Sequence, residues 1–151
     1  MKLNRATPVL FVISALLSFS AKAELSIQIT QGIDNPIPIA IVPFSWEGSG
    51  VLNEAIGDIV TADLQQVGEF RALSPSNMLA MPREEREVYY RDWSVLAQDY
   101  LLVGRVQTAP GSELIQVQYE FFDINREIKL AGEVLTGTKA QLRDIGHEIS
   151  N

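Results

Sequence analysis

Residues 100–138 read YLLVGRVQTAPGSELIQVQYEFFDINREIKLAGEVLTGT, and this stretch decides the fold class. It holds three β-forming runs separated by two turns. Tyr100 to Thr108 is rich in Leu and Val. Ala109-Pro110-Gly111-Ser112 has the composition of a hairpin turn, where Pro presets φ and Gly tolerates positive φ. Leu114 to Asp123 alternates, with Ile115, Val117, Tyr119 and Phe121 on one face, the period-2 pattern of a half-buried strand. Ile124 to Glu127 turns again, and Ile128 to Thr138 forms the third strand.

Upstream, Ile39 to Val42 is apolar throughout, which predicts a central strand buried on both faces. Pro38 and Pro43 bracket it, because proline cannot donate to a strand ladder. Phe44 to Gly50 reads as a loop carrying Trp46 and the Gly48-Ser49-Gly50 triplet. Ile56, Ile59, Val60, Leu64 and Val67 then recur at helical spacing and make one apolar stripe. A core position at Leu64 predicts a loss of roughly 2–5 kcal/mol for Leu64→Ala. Gly68 stands where a left-handed C-cap belongs. Glu69 to Leu73 is a short strand, Ser74 to Ala80 a capped turn, and Pro82 to Arg91 a charged surface loop. Asp92 is placed to cap a short helix that turns Trp93, Leu96 and Ala97 inward. Downstream, Lys139 to Asn151 begins an amphipathic helix with Leu142, Ile145 and Ile149 on one face. Its pattern runs to Asn151 without a C-cap, which predicts that the sequence is the N-terminal piece of a longer protein. The expected fold is α/β (α+β): a mixed β-sheet of about five strands packed by two to three helices.

The chain has 151 residues, 46% hydrophobic and 21% charged, the composition of one globular domain. It has 12 basic and 19 acidic residues and no cysteine, which excludes disulfides, thiolate catalysis and cysteine-ligated metals. Lys2 and Arg5 precede an apolar run from Val9 to Leu17, and Ala21 and Ala23 occupy the −3 and −1 places read by a signal peptidase. The alternative, a membrane anchor, needs about 20 apolar residues, and this run is shorter. Cleavage after Ala23 leaves a mature chain from Glu24. Its removal takes three bases and no acid, moving the formal charge from −7 to −10. Such a domain is a poor ligand for nucleic acid or anionic lipid, which require clustered Lys and Arg. At the mature end, Leu25, Ile27 and Ile29 alternate with Ser26, Gln28 and Thr30 in a strand pattern. Gln31-Gly32 and Asp34-Asn35-Pro36 break it.

Few residues carry recognisable chemistry. His147 is the one histidine, and no serine or cysteine stands in a nucleophile frame beside it. Gly48-Ser49-Gly50 lacks the lysine and spacing of a phosphate loop. Glu54 and Asp58 fall at i,i+4, where neighbours on one helix face are usually solvated charge. Glu84-Glu85-Arg86-Glu87 reads as a solvated run. Trp46 and Trp93 are either sugar platforms or, more commonly, packing residues. The segment Leu25 to Thr30 carries a positive signal. A strand tethered at one end can leave its sheet and add to the sheet edge of a partner.

Five stretches together carry a family resemblance. Glu24 to Asp34, through Gln31, Gly32 and Ile33, is an acid followed by alternating aliphatics and Gly-Ile-Asp. The others are Pro38 to Trp46, Asp58 to Phe70, Asp99 to Gly104 and Leu142 to His147. The chain resembles the N-terminal domain of the TolB family, periplasmic components of the Tol-Pal envelope system. The resemblance implies an α/β domain followed by a six-bladed β-propeller, of which no repeat occurs in this sequence. It implies a non-enzymatic adaptor without cofactor or metal. It implies that the segment from Glu24 to Asp34 is the site for the inner-membrane protein TolA, while the propeller binds the lipoprotein Pal and is parasitised by colicins. Pal binding would sequester the segment, and its release would permit TolA contact. The residues alone leave open a second reading, an exported α/β module that activates a cell-wall synthase or binds sugar.

Overall fold

The computed structural model describes residues 35–151. The expected signal segment and the segment from Glu24 to Asp34, with its expected first strand, lie outside the described residues.

Strand β1 (Ile37–Ile41) is followed by a three-residue strand β2 (Ser45–Glu47) and helix α1 (Ile56–Val67). Strand β3 (Phe70–Ala72) and helix α2 (Tyr90–Val95) come next. Strands β4 (Tyr100–Thr108), β5 (Ile115–Asp123) and β6 (Ile128–Gly137) form a continuous meander. Helix α3 (Leu142–Ser150) ends the chain. The sheet order is β3-β1-β4-β5-β6, with β2 also pairing β4. β1 runs parallel to β3 and β4, whereas β4, β5 and β6 pair antiparallel. Among the described residues the sheet is therefore mixed, with six strands and three α-helices beside it, and there is no propeller.

Alternation along the strands divides the core in two. One face buries Ile39, Ile41, Leu102, Val106, Ile115 and Val117 beneath α1 and α3. The other buries Ala40, Val42, Leu101, Val103 and Phe122 beneath Trp93 of α2 and the irregular chain around it. The apolar run Ile39 to Val42 is buried on both faces, as its composition predicts.

Several local expectations are corrected. Pro38 lies inside β1. Alternate residues of β1 bond to β3, while the Pro38 carbonyl accepts from Asp99 N–H at 3.0 Å. Its nitrogen is therefore directed to the β4 side, where pairing begins only at Tyr100, and no ladder bond is lost. The α1 stripe points inward at Ile56, Ile59 and Val60, but Leu64 is half-buried and Val67 is 64% exposed. The last turn leads into β3, a three-residue edge strand, so Leu64 packs only at the margin of the core beside Phe70. Gly68 does close α1 in the left-handed conformation, φ 80°. Helix α2 begins two residues before Asp92, which lies in its first turn, and Tyr89 is its N-cap without a side-chain bond. Trp93 is fully buried and Leu96 half-buried, whereas Ala97 is exposed at φ 53° where the chain reverses. The Ser74 hydroxyl bonds Ser76 rather than capping the backbone of its turn. A bulge in β6 leaves Leu130 unpaired between Lys129, opposite Phe122, and Ala131, opposite Phe121.

Two glycines explain close approaches. A Cβ on Gly104 of β4 would stand 2.4 Å from the Phe44 ring, and one on Gly146 of α3 would stand 2.8 Å from Ile59 of α1. The first lets the loop after β1 fold back across the sheet. The second lets α3 seat directly on α1.

Candidate functional site

The expected partner segment from Glu24 to Asp34 lies outside the described residues. The structural description begins one residue beyond it, at Asn35. The described residues place the other candidates in three groups.

The first group joins α1 to α3. The Thr138 hydroxyl and the Gln141 side chain form a capping box at the turn that leads into α3, fixing where the helix starts. Leu142 and Ile145 then face the core. On the outer side, His147 Nδ1 lies 2.7 Å from Asp63 Oδ2, and the Ser150 hydroxyl donates to the same oxygen at 2.6 Å. These bonds, the Ser150 hydroxyl first and then His147, hold the Asp63 carboxyl below its ordinary pKa. Serine, histidine and aspartate thus meet, but without the connectivity of a catalytic relay. The hydroxyl donates to the carboxylate and not to the imidazole, whereas a relay needs the serine–histidine bond. Sequence reading left His147 as a lone histidine without a nucleophile and missed Ser150. The signal for Ser150 is its place three residues after His147, one turn further on the same helix face.

The second group surrounds a groove of about 640 Å³, lined among others by Phe44, Trp46, Glu54, Asp58 and Arg143. Glu54 precedes α1 rather than lying on it, so it does not pair with Asp58 along a helix face. Both its oxygens instead accept from Arg143 Nη2, at 2.8 and 2.9 Å. The Trp46 indole N–H donates to Gly50 O at 2.9 Å. Lys139 lies over the Trp46 ring at 5.1 Å and donates to Ser49 O at 3.1 Å. The Gly48-Ser49-Gly50 turn thus gains a lysine through tertiary structure. That ammonium is already committed to a carbonyl and a ring face, the arrangement of a tied loop.

The third group corrects the reading of residues 84–87 as a solvated run. They form a 3-10 turn (Glu85–Glu87) tied to the sheet by charge. Arg83 bridges Glu47 at 3.2 Å and Glu87 at 2.9 Å. Glu84 pairs with Arg86 and reaches Arg105 of β4. Lys129 of β6 meets Glu85 and Glu120. Glu120 is buried and also accepts the Glu85 backbone N–H. Hydrogen bonds with Arg83 lower the pKa of Glu87, and the bond to Glu85 raises that of Lys129. Trp93, fully buried, belongs to the packing beneath this turn.

Among the described residues, no cluster of three or more His, Asp or Glu side chains is placed to hold a metal ion. No described helix is long and apolar enough to cross a membrane.

A parallel βαβ unit joined to an antiparallel meander, with helices on one face and irregular chain on the other, defines an α+β domain. The TolB amino-terminal domain family matches residues 25–130, and the chain belongs to this family. Tol-Pal system protein TolB from Hahella chejuensis is 38% identical over 143 residues, covering 95% of this chain and 33% of the relative. The protein of that name from Alcanivorax borkumensis is 40% identical over 142 residues, covering 93% and 32%. The chain therefore spans about a third of the length of the curated relatives it matches. The crystal structure of TolB from Acinetobacter baumannii superposes with a TM-score of 0.62 at 26% identity, over 78% of this chain and 27% of that one. The LpoB C-terminal domain from Salmonella enterica, with a TM-score of 0.51 at 11% identity over 72% of this chain and 87% of that one, shares the fold alone.

Proposed function

We propose that this protein is a periplasmic, non-catalytic adaptor of the Tol-Pal system. The observation that carries the reading is the match of nearly the whole chain to relatives named Tol-Pal system protein TolB. In this reading the segment from Glu24 to Asp34 binds TolA, and the rest of the longer protein engages Pal and is the part exploited by colicins. The protein would thereby link the inner membrane to the outer membrane in envelope integrity and division. Residues 1–23 would direct export and be removed by cleavage after Ala23.

The chemistry of the segment supports its role. Leu25, Ile27 and Ile29 alternate with polar residues, so a partner's sheet edge could take the backbone while burying one row of side chains. Each aliphatic fully buried is worth about 1.5–3 kcal/mol, enough for three of them to decide docking. Glu24 and Asp34 would favour a basic partner surface, with a contribution that salt weakens. The non-catalytic reading is supported by the Asp63, His147 and Ser150 geometry, in which the hydroxyl and the imidazole both turn to the carboxylate and not to each other.

The test is calorimetric titration of TolA's C-terminal domain into the full-length protein and into a form lacking Glu24 to Asp34. Loss of binding with an unchanged thermal melt is the expected result. Undiminished affinity without the segment would refute the assignment.

A further inference from the structure

The groove beside Trp46, about 640 Å³, falls in the size range of small-molecule sites, about 300–1,000 Å³. Its lining is of two kinds: the aromatic rings of Phe44 and Trp46, and the polar side chains of Asn53, Glu54, Asp58 and Arg143. The aromatic part is held by the fold itself. The Phe44 ring lies against Gly104, and a Cβ on Gly48 would overlap the Trp46 ring. The indole N–H is already given to Gly50 O at 2.9 Å. Lys139 lies over the ring but lines a separate polar pocket with Ser49 and Thr108. Trp46 therefore offers the groove an apolar surface with no free polar atom.

We propose that this groove is a binding site for a neutral oligosaccharide, with a sugar ring laid on Trp46 and its hydroxyls shared among Asn53, Asp58 and the Glu54–Arg143 pair. The polar groups decide the class of ligand. Arg143 Nη2 donates to both Glu54 oxygens, at 2.8 and 2.9 Å, so the two charges cancel as a unit. The guanidinium still holds N–H groups on Nε and Nη1, and the carboxylate still has lone pairs. Asn53 and Asp58 are exposed beside them. Asp58 accepts, Arg143 donates, and the Asn53 amide does both. A sugar hydroxyl donates one hydrogen and accepts with two lone pairs, so neighbouring hydroxyls need donors and acceptors side by side.

Charged ligands fit this lining less well. An anion would meet the carboxylates of Asp58 and Glu54. A cation would find Glu54 engaged by Arg143 and a single carboxylate left to it. The C–H face of a pyranose ring, by contrast, loses water against an apolar plane such as the indole. The proposal does not depend on the partner segment from Glu24 to Asp34 or on the adaptor reading.

The test is calorimetric titration of the full-length protein with three neutral tetrasaccharides: chitotetraose, cellotetraose and maltotetraose. At least one should bind at up to about 10 mM, the weak end of specific recognition. Trp46→Ala should weaken that binding about two- to ten-fold, the worth of one aromatic contact. Asp58→Leu, at an exposed position where the thermal melt should not change, should weaken it by a similar factor, the worth of one hydrogen bond. Asp58→Asn keeps an acceptor and should recover most of that loss. Tetralysine should not displace the sugar, and about 0.5 M salt should leave its affinity unchanged. The site is overturned if the wild type binds none of the three sugars, or if either Trp46→Ala or Asp58→Leu binds as the wild type does. Displacement by tetralysine overturns it in favour of a cationic peptide.

Discussion

The two faces of the sheet are covered by opposite means. On one face, α1 and α3 present aliphatic rows, and Gly146 lets them meet at Ile59. On the other, a short helix and irregular chain from Leu73 to Leu96 cover the strands. Their anchors are Trp93 and the charges that tie residues 83–87 to β2, β4, β5 and β6. A regular helix satisfies its own backbone and needs only a fitting surface. Irregular chain satisfies only part of its own backbone through local turns, so it also takes bonds from the sheet. The buried Glu120 carboxylate, accepting the Glu85 N–H, is such a bond.

This difference can be broken by mutation. Trp93→Ala removes the largest side chain of the irregular cover and should cost about 3–5 kcal/mol in urea unfolding. A loss confined to a few tenths of a kcal/mol would mean that the cover is not built around it. Glu120→Ala strips the acceptor from the Glu85 N–H and should cost about 1–3 kcal/mol. Glu120→Gln, which retains a carbonyl, should recover much of that. On the helical face, Gly146→Val forces a side chain into Ile59 and should cost about 1–3 kcal/mol by overpacking. The strain should shrink when Ile59 is trimmed to alanine in the same molecule, a coupling read by a double-mutant cycle.

The smallest effects are electrostatic and mark each face separately. Asp63 on the helical face and Glu87 on the irregular face both have pKa values lowered in the fold. A lowered carboxylate contributes stability that is present above its unfolded value and lost as pH falls through its folded value. Acid titration of stability should therefore steepen below about pH 4. Asp63→Asn and Glu87→Gln should each remove part of that steepness. Because both groups are only half-buried, 0.5 M salt should blunt the effect. Equal slopes in wild type and both variants would show that neither pair contributes.

What was legible follows the same division. Tyr100 to Thr108, Ile56 to Val67 and the hairpin turn at Ala109 to Ser112 are set by neighbours within a few residues. Their periods appear in the structure nearly where the sequence puts them. Val67 and Leu64 show the limit, since helical spacing marks a face but not how far the sheet beneath it extends. The charged run at residues 84–87 was illegible for a stronger reason. Its partners Arg105, Glu120 and Lys129 lie on three different strands, the neighbouring Arg83 reaches Glu47 on a fourth, and no local pattern joins them.

The sequence by itself determined the class of fold, a mixed sheet with helices, because strand alternation and helix spacing are properties of short stretches. It also determined the family, through motifs spread along nearly the whole chain. One of those motifs ends on Gly104 and another contains Gly146, and their reason became visible only when Phe44 and Ile59 were found against them. Tertiary structure alone decided that His147 and Ser150 share one oxygen of Asp63, more than 80 residues away in sequence. It alone decided that Lys139 closes the loop at Trp46. Those contacts depend on two helices and a sheet being packed at fixed separations. A hydrogen bond that reaches across about 2.7 Å is set by that packing and not by sequence spacing.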